Sequence, residues 1–356
     1  MNVPKLRFKE FNDNYLRLKY KDVLKIKSGK DQKQVECENG IYPILGTGGQ
    51  IGKTNSFLYD KPSVLIGRKG TINKPQYMET PFWTVDTLFY SHIYEPNIPK
   101  YLFYSFQNVN WKKYDESTGV PSLSSSTIEG VDCNIPSKEE QLKVANFLSL
   151  LDKKIELQSK KIEDLKLFKK GLILSLKKNS FDWHTVCIKD LFKITRGVVI
   201  PKNELSEFKS GEYKYPVYSS QTSNQGVLGY SDTFDFNGKY LTWTTDGANA
   251  GKVFYRNGKF RCTNVCGVLY EDNIRFTNEL FAELLNYETP KHVSYVGNPK
   301  LMNNIMANIK IKIPSNEIQE NISLVINTIN HKVNLETNKL LKLQELKKGL
   351  MQSMFV

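Results

Sequence analysis

The sequence has no adjacent proline pair, four histidines, and five cysteines that are scattered and odd in number. Each shortage removes a class of function. His92, His184, His292 and His331 are dispersed, which leaves no legible metal motif or catalytic triad. Cys262 and Cys266 are too far apart for a Cys-x-x-Cys knuckle and have no second pair, so buried thiols are expected rather than zinc ligands. With Cys37, Cys133 and Cys187 they form no disulfide framework, which fits a reducing cytoplasm. No run of 18 uncharged apolar residues exists, so no membrane span is expected. The first twenty residues are studded with charge and lack the apolar stretch of a secretory signal. What remains is a chain of 356 residues, 40% hydrophobic, long enough for two domains. Its 50 basic residues against 37 acidic give a net charge of +13, which favours an anionic partner, nucleic acid first.

The chain is written twice. Ile135-Pro136-Ser137-Lys138-Glu139-Glu140-Gln141 recurs 178 residues later as Ile313-Pro314-Ser315-Asn316-Glu317-Ile318-Gln319. Lys170-Gly171-Leu172 recurs at the same offset as Lys348-Gly349-Leu350, and Gly119-Val120-Pro121-Ser122-Leu123 as Gly297-Asn298-Pro299-Lys300-Leu301. Asp22-Val23-Leu24-Lys25-Ile26 resembles Asp190-Leu191-Phe192-Lys193-Ile194, and Tyr42-Pro43 resembles Tyr215-Pro216. The order is globular, helical, globular, helical.

From Lys138 to Lys178 there is no proline and one glycine. A heptad register puts Leu151, Ile155, Gln158, Ile162, Leu165, Lys169, Leu172 and Leu176 on one seam. The second copy puts Ile329, Val333, Glu336, Leu340, Leu343, Lys347, Leu350 and Met354 there, with the polar exceptions at the same two heptad positions. Two long helices packed on each other need such a seam. Each would be about 60 Å long. Ser137 and Glu140 form a capping box at the start of the first helix; Ile318 weakens the second. The globular halves carry short runs rich in Val, Ile, Tyr, Phe and Thr, such as Ser63–Gly67, Lys239–Trp243 and Gly251–Tyr255. These predict strands, with Asn257-Gly258 as a hairpin turn and short helices at Lys100–Asn110 and Asn278–Tyr287. The fold class is therefore α+β. Two pseudo-repeated strand-rich domains, 1–134 and 179–312, are each followed by a long helix, 135–178 and 313–356, and the helices pair antiparallel as a coiled coil.

No catalytic centre is legible. Gly46–Thr54 resembles a phosphate-binding P-loop, but Thr47 stands where its first glycine belongs, and Pro62 follows soon after. The Asp/Asn-Pro-Pro-aromatic loop of adenine and cytosine amino-methyltransferases is absent. Asp31-Gln32-Lys33 and Glu345-Leu346-Lys347 match the end of a nuclease motif, but chance supplies such triplets in a chain this charged. The basic excess is spread over both halves and is densest on 135–178. The halves alone are mildly basic, so tight DNA binding would need phosphate contacts from a partner.

Two loops suit base reading. Arg68, Lys69, Thr71, Asn73 and Lys74 lie between predicted strands in the first half; Thr244, Thr245, Asn249 and Lys252 occupy the counterpart. Arg can bond guanine bidentately, Asn can bond adenine, and Thr can touch a thymine methyl. The loops align around Gly70 and Gly247 yet differ in the polar residues nearby, as two different half-sites require.

The duplicated plan resembles the specificity subunit of type I restriction-modification systems, across essentially the whole chain. The resemblance is carried by the repeated Ile-Pro-Ser…Gln segments, the helices ending in Lys-Gly-Leu, the Tyr-Pro strands and the Gly-x-Pro-x-Leu segments, recurring in order. It implies a target recognition domain in each half, reading one half of a split double-stranded DNA site, and helices that set the spacing. It implies two methyltransferase (modification) subunits as partners, with restriction/translocase subunits joining them and no membrane. No catalysis is implied in this chain; S-adenosylmethionine, ATP and Mg are expected on the partner subunits. A stand-alone two-headed DNA-binding protein, or a catalytic methyltransferase or nuclease chain, are the alternatives.

Overall fold

A computed structural model describes residues 3–178, 183–272 and 274–356, the side chains of 177, 316 and 317 aside. The chain forms two compact units, Met1–Lys160 with Asn338–Val356, and Lys161–Thr337. Each long helix contributes to both units.

The first unit pairs four strands in the order Leu24–Ser28, Leu88–Ile93, Ser63–Gly67, Gln76–Met78. Three more run Gly49–Thr54, Tyr42–Gly46, Trp83–Thr84, the last pair parallel. The second unit has one six-stranded sheet: Lys193–Arg196, Cys266–Tyr270, Phe236–Thr244, Val253–Cys262, Tyr215–Tyr218, Val227–Ser231. The two arrangements are the same plan. The long strand Val253–Cys262 pairs antiparallel with Phe236–Thr244 and parallel with Tyr215–Tyr218. In the first unit its counterpart is split into Gln76–Met78 and Trp83–Thr84, with Pro81 between them. Proline cannot donate to a ladder, which accounts for the broken strand and the two sheets.

The proposed turn at Asn257-Gly258 is not a turn. Both residues lie inside the strand Val253–Cys262, with Gly258 opposite Gly238 and Asn257 opposite Lys239. Gly258 at φ 109° and Gly238 at φ 128° occupy conformations that a side chain resists, so the dipeptide marks a cross-strand glycine pair. The predicted short helices are present as Pro99–Asn108 and Glu279–Glu288.

The long helices are Lys138–Lys178 and Asn316–Met354. The repeated glutamine has a structural job in each copy. Gln141 Nε2 donates to the Pro136 carbonyl at 3.0 Å and Gln319 Nε2 to that of Pro314 at 2.8 Å. Both glutamines are buried, so each first turn is locked to the strand that leads into it. The capping box is half made: the Glu140 amide donates to Ser137 Oγ at 3.3 Å. The Glu140 carboxylate instead accepts Arg7 Nε at 2.8 Å, Arg7 Nη2 at 2.7 Å and Tyr15 Oη at 2.9 Å, tying the N-terminal segment to the helix.

Every seam residue is buried or half-buried, while most neighbours on either side are exposed. The pairing is antiparallel within each unit. In the first, Leu148 and Leu151 share a core with Leu350, Met351 and Met354. In the second, Ile173 and Leu176 share one with Ile322 and Ile326. Polar seam positions are filled by specific partners. Lys161 Nζ meets Glu336 Oε1 at 2.9 Å, and Lys169 Nζ meets Asn330 Oδ1 at 2.8 Å. Lys347 Nζ meets Asp152 Oδ1 at 2.6 Å. Partly exposed pairs add little stability, under about 1 kcal/mol each. Their weight is in register, since a slipped alignment would leave charges in an apolar seam.

Candidate nucleic-acid interface

The first loop leaves the buried strand Ser63–Gly67 and is anchored by Ile72, which is buried. The Arg68 amide donates to the Thr87 carbonyl at 2.8 Å. Leu123 N donates to the Arg68 carbonyl at 2.9 Å, and Gly70 N to the Pro121 carbonyl at 2.8 Å. Lys69 bridges to Ser122 between these bonds. The Gly-x-Pro-x-Leu segment is thus the clamp that holds the loop.

The second loop is held by the same bonds. Thr245 N donates to Val265 O at 3.1 Å, Leu301 N to Thr245 O at 2.9 Å, and Gly247 N to Pro299 O at 3.0 Å. Asp246 bridges to Lys300. Gly70 has φ 93° and Gly247 φ 94°, the left-handed conformation that the clamp imposes at its apex. Arg68 therefore corresponds to Thr245 and Lys69 to Asp246, on one backbone frame.

The side chains on that frame behave differently. Arg68 and Lys69 are exposed, on a cavity of about 670 Å³ that Ser28, Glu116, Ser122 and Ser124 also line. Arg68 has one weak contact, Nη1 to the Asp86 carbonyl at 3.5 Å. Hydrogen bonds from Thr127 and Ser124 hold the Glu116 carboxyl below its usual range, so this edge carries both signs of charge. Thr71 is half-buried, and Asn73 and Lys74 are exposed on a different cavity. Arg68 and Lys69 thus line one cavity, and Asn73 and Lys74 another.

In the second loop Thr244 and Thr245 do not present their hydroxyls. Both are buried. Thr244 Oγ1 donates to the Asn249 carbonyl and accepts the Lys252 amide at 3.1 Å. Thr245 Oγ1 donates to Asp246 Oδ2 at 2.5 Å. They brace the loop, with their hydroxyls bonded within it. Asn249 and Lys252 are exposed. Sequence reasoning missed two neighbours. Arg196 aligns with Ser28 and lies 3.5 Å from Asn303 Oδ1, and the Lys300 ammonium is 3.9 Å from Asp246. The signal was their place beside, or within, the repeated segments.

Gly46–Thr54 forms a strand hairpin, Tyr42–Gly46 with Gly49–Thr54, so its Gly-Lys-Thr lies on a strand and opens no helix. Among the described residues no group of three or more His, Cys, Asp or Glu is placed to hold a metal. All five cysteines are free, with Cys133, Cys262 and Cys266 buried. Among the described residues no helix is long and apolar enough to cross a membrane.

Arg256 is a buried cation of the second sheet that sequence inspection passed over. Its guanidinium lies 3.5 Å from the centroid of the Tyr218 ring and 4.4 Å from that of Phe254. Nε donates to Thr242 Oγ1 at 3.1 Å and Nη2 to the Gln225 carbonyl at 2.8 Å. That bond holds a turn in which Asn224 and Gln225 have φ of 47° and 52°, so its role is structural.

Comparison with known proteins gives a consistent picture. The family described as "Type I restriction modification DNA specificity domain" matches residues 12–167 and 181–345. A putative type I specificity subunit of Mycoplasma pneumoniae is 34% identical over 224 residues, 60% of this chain and 81% of that protein. The N-terminal part of another, from the same organism, is 44% identical over 145 residues, 40% of this chain and 76% of that protein. In fold, the chain matches the crystal structure of a type I restriction-modification S subunit from M. genitalium, with a TM-score of 0.74, 17% identity and 99% of each chain covered. A chain from a structure on complex assembly and conformational transition of the type I system gives a TM-score of 0.51 at 12% identity, covering 96% of this chain and 97% of that one.

Proposed function

The chain belongs to the type I restriction-modification DNA specificity family, a specificity subunit with two target recognition domains, and on that premise we propose how it acts. It reads a bipartite double-stranded DNA site, one half-site per recognition domain, with domains bounded near 1–134 and 179–312. It scaffolds two methyltransferase subunits, which restriction/translocase subunits join. S-adenosylmethionine, ATP and magnesium act on those partners, and this chain contributes recognition without catalysis.

One observation carries the reading: an identical hydrogen-bonded clamp, Gly70–Pro121 and Gly247–Pro299, presents different side chains in the two halves. A fixed frame with an exchangeable edge is how one architecture specifies different sequences, because phosphate contacts position while base contacts specify. On the first edge Arg68 is the reader, with Lys69 on a phosphate; on the second, Asn249 is the reader, with Arg196 and Lys300 as further cations near the same clamp.

The test is co-expression with the methyltransferase subunits, followed by methylome sequencing. The expected result is methylation at one split sequence, dependent on this chain. Methylation at a continuous sequence, or methyl transfer by the purified chain alone, would overturn the proposal. Sequence-specific DNA binding with no association to any methyltransferase would instead establish a stand-alone DNA-binding protein.

A further inference from the structure

Two clefts, one in each unit, are built from pseudo-equivalent residues that the loops and helices supply together. In the first unit Lys74 faces Gln344, Lys347, Lys348 and Met351 across a cavity of about 470 Å³. In the second, Lys252 faces Lys166, Lys169, Lys170 and Ile173 across one of about 450 Å³. The helix residues correspond position by position at the 178-residue offset, so the repeated Lys-Lys-Gly segment is what each cleft is made from.

In each cleft one lysine is structural and the others are not. Lys347 is pinned by Asp152 at 2.6 Å. Lys169 is pinned by Glu283 at 2.5 Å and Asn330 at 2.8 Å. Lys74 and Lys348, and likewise Lys166, Lys170 and Lys252, are exposed, and among the described residues none of these five is paired with a carboxylate. Like charges crowded together disfavour one another unless an anion joins them. Although Lys252 is exposed overall, desolvation of its ammonium in the cleft holds it below its usual pKa, and Lys169 and Lys166 push it the same way, while Glu283 opposes them.

We propose that the two lysine clefts are phosphate clamps, each gripping the DNA backbone beside the half-site read by the loop that supplies Lys74 or Lys252. This rests on the function proposed above. Lysine suits the role: a compact ammonium binds phosphate as a point charge and carries no base information. DNA is favoured over an acidic protein surface because Lys74 and Lys252 sit on the loops that carry Asn73 and Asn249. The clamps would also supply phosphate contacts from this chain, where the mild overall charge suggested that a partner must provide them.

The test uses the full chain assembled with its methyltransferase subunits, in two double variants, Lys74→Gln with Lys348→Gln and Lys252→Gln with Lys170→Gln. Binding to a duplex carrying the methylated site, and to a random-sequence duplex, is measured across salt concentrations. Each lost phosphate contact lowers the slope of log affinity against log salt by about 0.9. The expected result is a slope shallower by about one to two in each variant, equal loss on both duplexes, and an unchanged methylated sequence. An unchanged slope would overturn the inference, and so would a changed methylated sequence, which would make the clefts base readers. Failed assembly with methyltransferase subunits at unchanged slope would assign them to an acidic protein surface. If the unmodified complex shows no preference for the split site, the proposed function itself has failed instead.

Discussion

Arg68 and Thr245 occupy the same place on the repeated frame, and their replacement by alanine should have opposite consequences. The backbone of Arg68 makes the frame's bonds to Thr87 and Leu123, which alanine keeps. Its side chain is exposed and, among the described residues, makes only the 3.5 Å contact to Asp86, so Arg68→Ala should cost less than about 0.5 kcal/mol of stability. If Arg68 bonds a guanine bidentately, its loss should remove about 1–3 kcal/mol of discrimination at one base. That is roughly a 5- to 150-fold relaxation, at 1.4 kcal/mol per tenfold. Thr245→Ala should do the reverse. It loses a buried hydroxyl bonded to Asp246 and a buried methyl, worth about 1–2 kcal/mol together. In a unit of this size that lowers Tm by about 2–4 °C per kcal/mol. Thermal melts of the two variants, with methylation of single-base variants of the site, check both halves. Unchanged preference in Arg68→Ala, or relaxed reading at full stability in Thr245→Ala, would refute the assignment of edge and frame.

Three further outcomes follow. Glu140→Ala strands Arg7 and Tyr15 around a nearly buried position and should cost about 2–4 kcal/mol, read as a lowered urea midpoint. Burial raises the Glu279 carboxyl above its ordinary range, partly offset by the Asn330 hydrogen bond. Folding thus favours its protonated form: that contribution is whole below the ordinary Glu value and is lost as pH rises through the raised one. Glu279→Gln should therefore flatten that part of the stability–pH curve, measured by urea unfolding from about pH 4 to 7. Deleting one matched heptad from both long helices removes about 10 Å from each, about three base pairs of DNA. Methylome sequencing should then find both half-sequences with a shorter spacer.

The repeat made much of this legible. Leu151 to Leu176 and Ile329 to Met354 follow a heptad because two helices must bury a common seam, and the period records it directly. The paired Gln141 and Gln319 were visible as recurrence, though their bonds to Pro136 and Pro314 were not. Local signals failed where tertiary context overrode them. Asn257-Gly258 has hairpin chemistry, yet Gly238 opposite it turns the pair into a cross-strand contact. Thr244 and Thr245 look like surface hydroxyls because burial cannot be read from residue type; the positions that clamp a loop are polar too. Glu140 fits a capping box, but a charged residue distant in sequence, Arg7, competes for its carboxylate. The split between Arg68 and Lys74, six positions past it on the same loop, depends on Ile72 turning inward.

The central claim is that each half of the chain specifies one half of a DNA site. Replacing residues 179–312 with the corresponding half of a family member of different specificity, in the complex with its methyltransferase subunits, tests it most directly. Methylome sequencing should show one half-sequence exchanged, the other retained and the site still split. A change in both half-sequences, or in neither, would contradict the account.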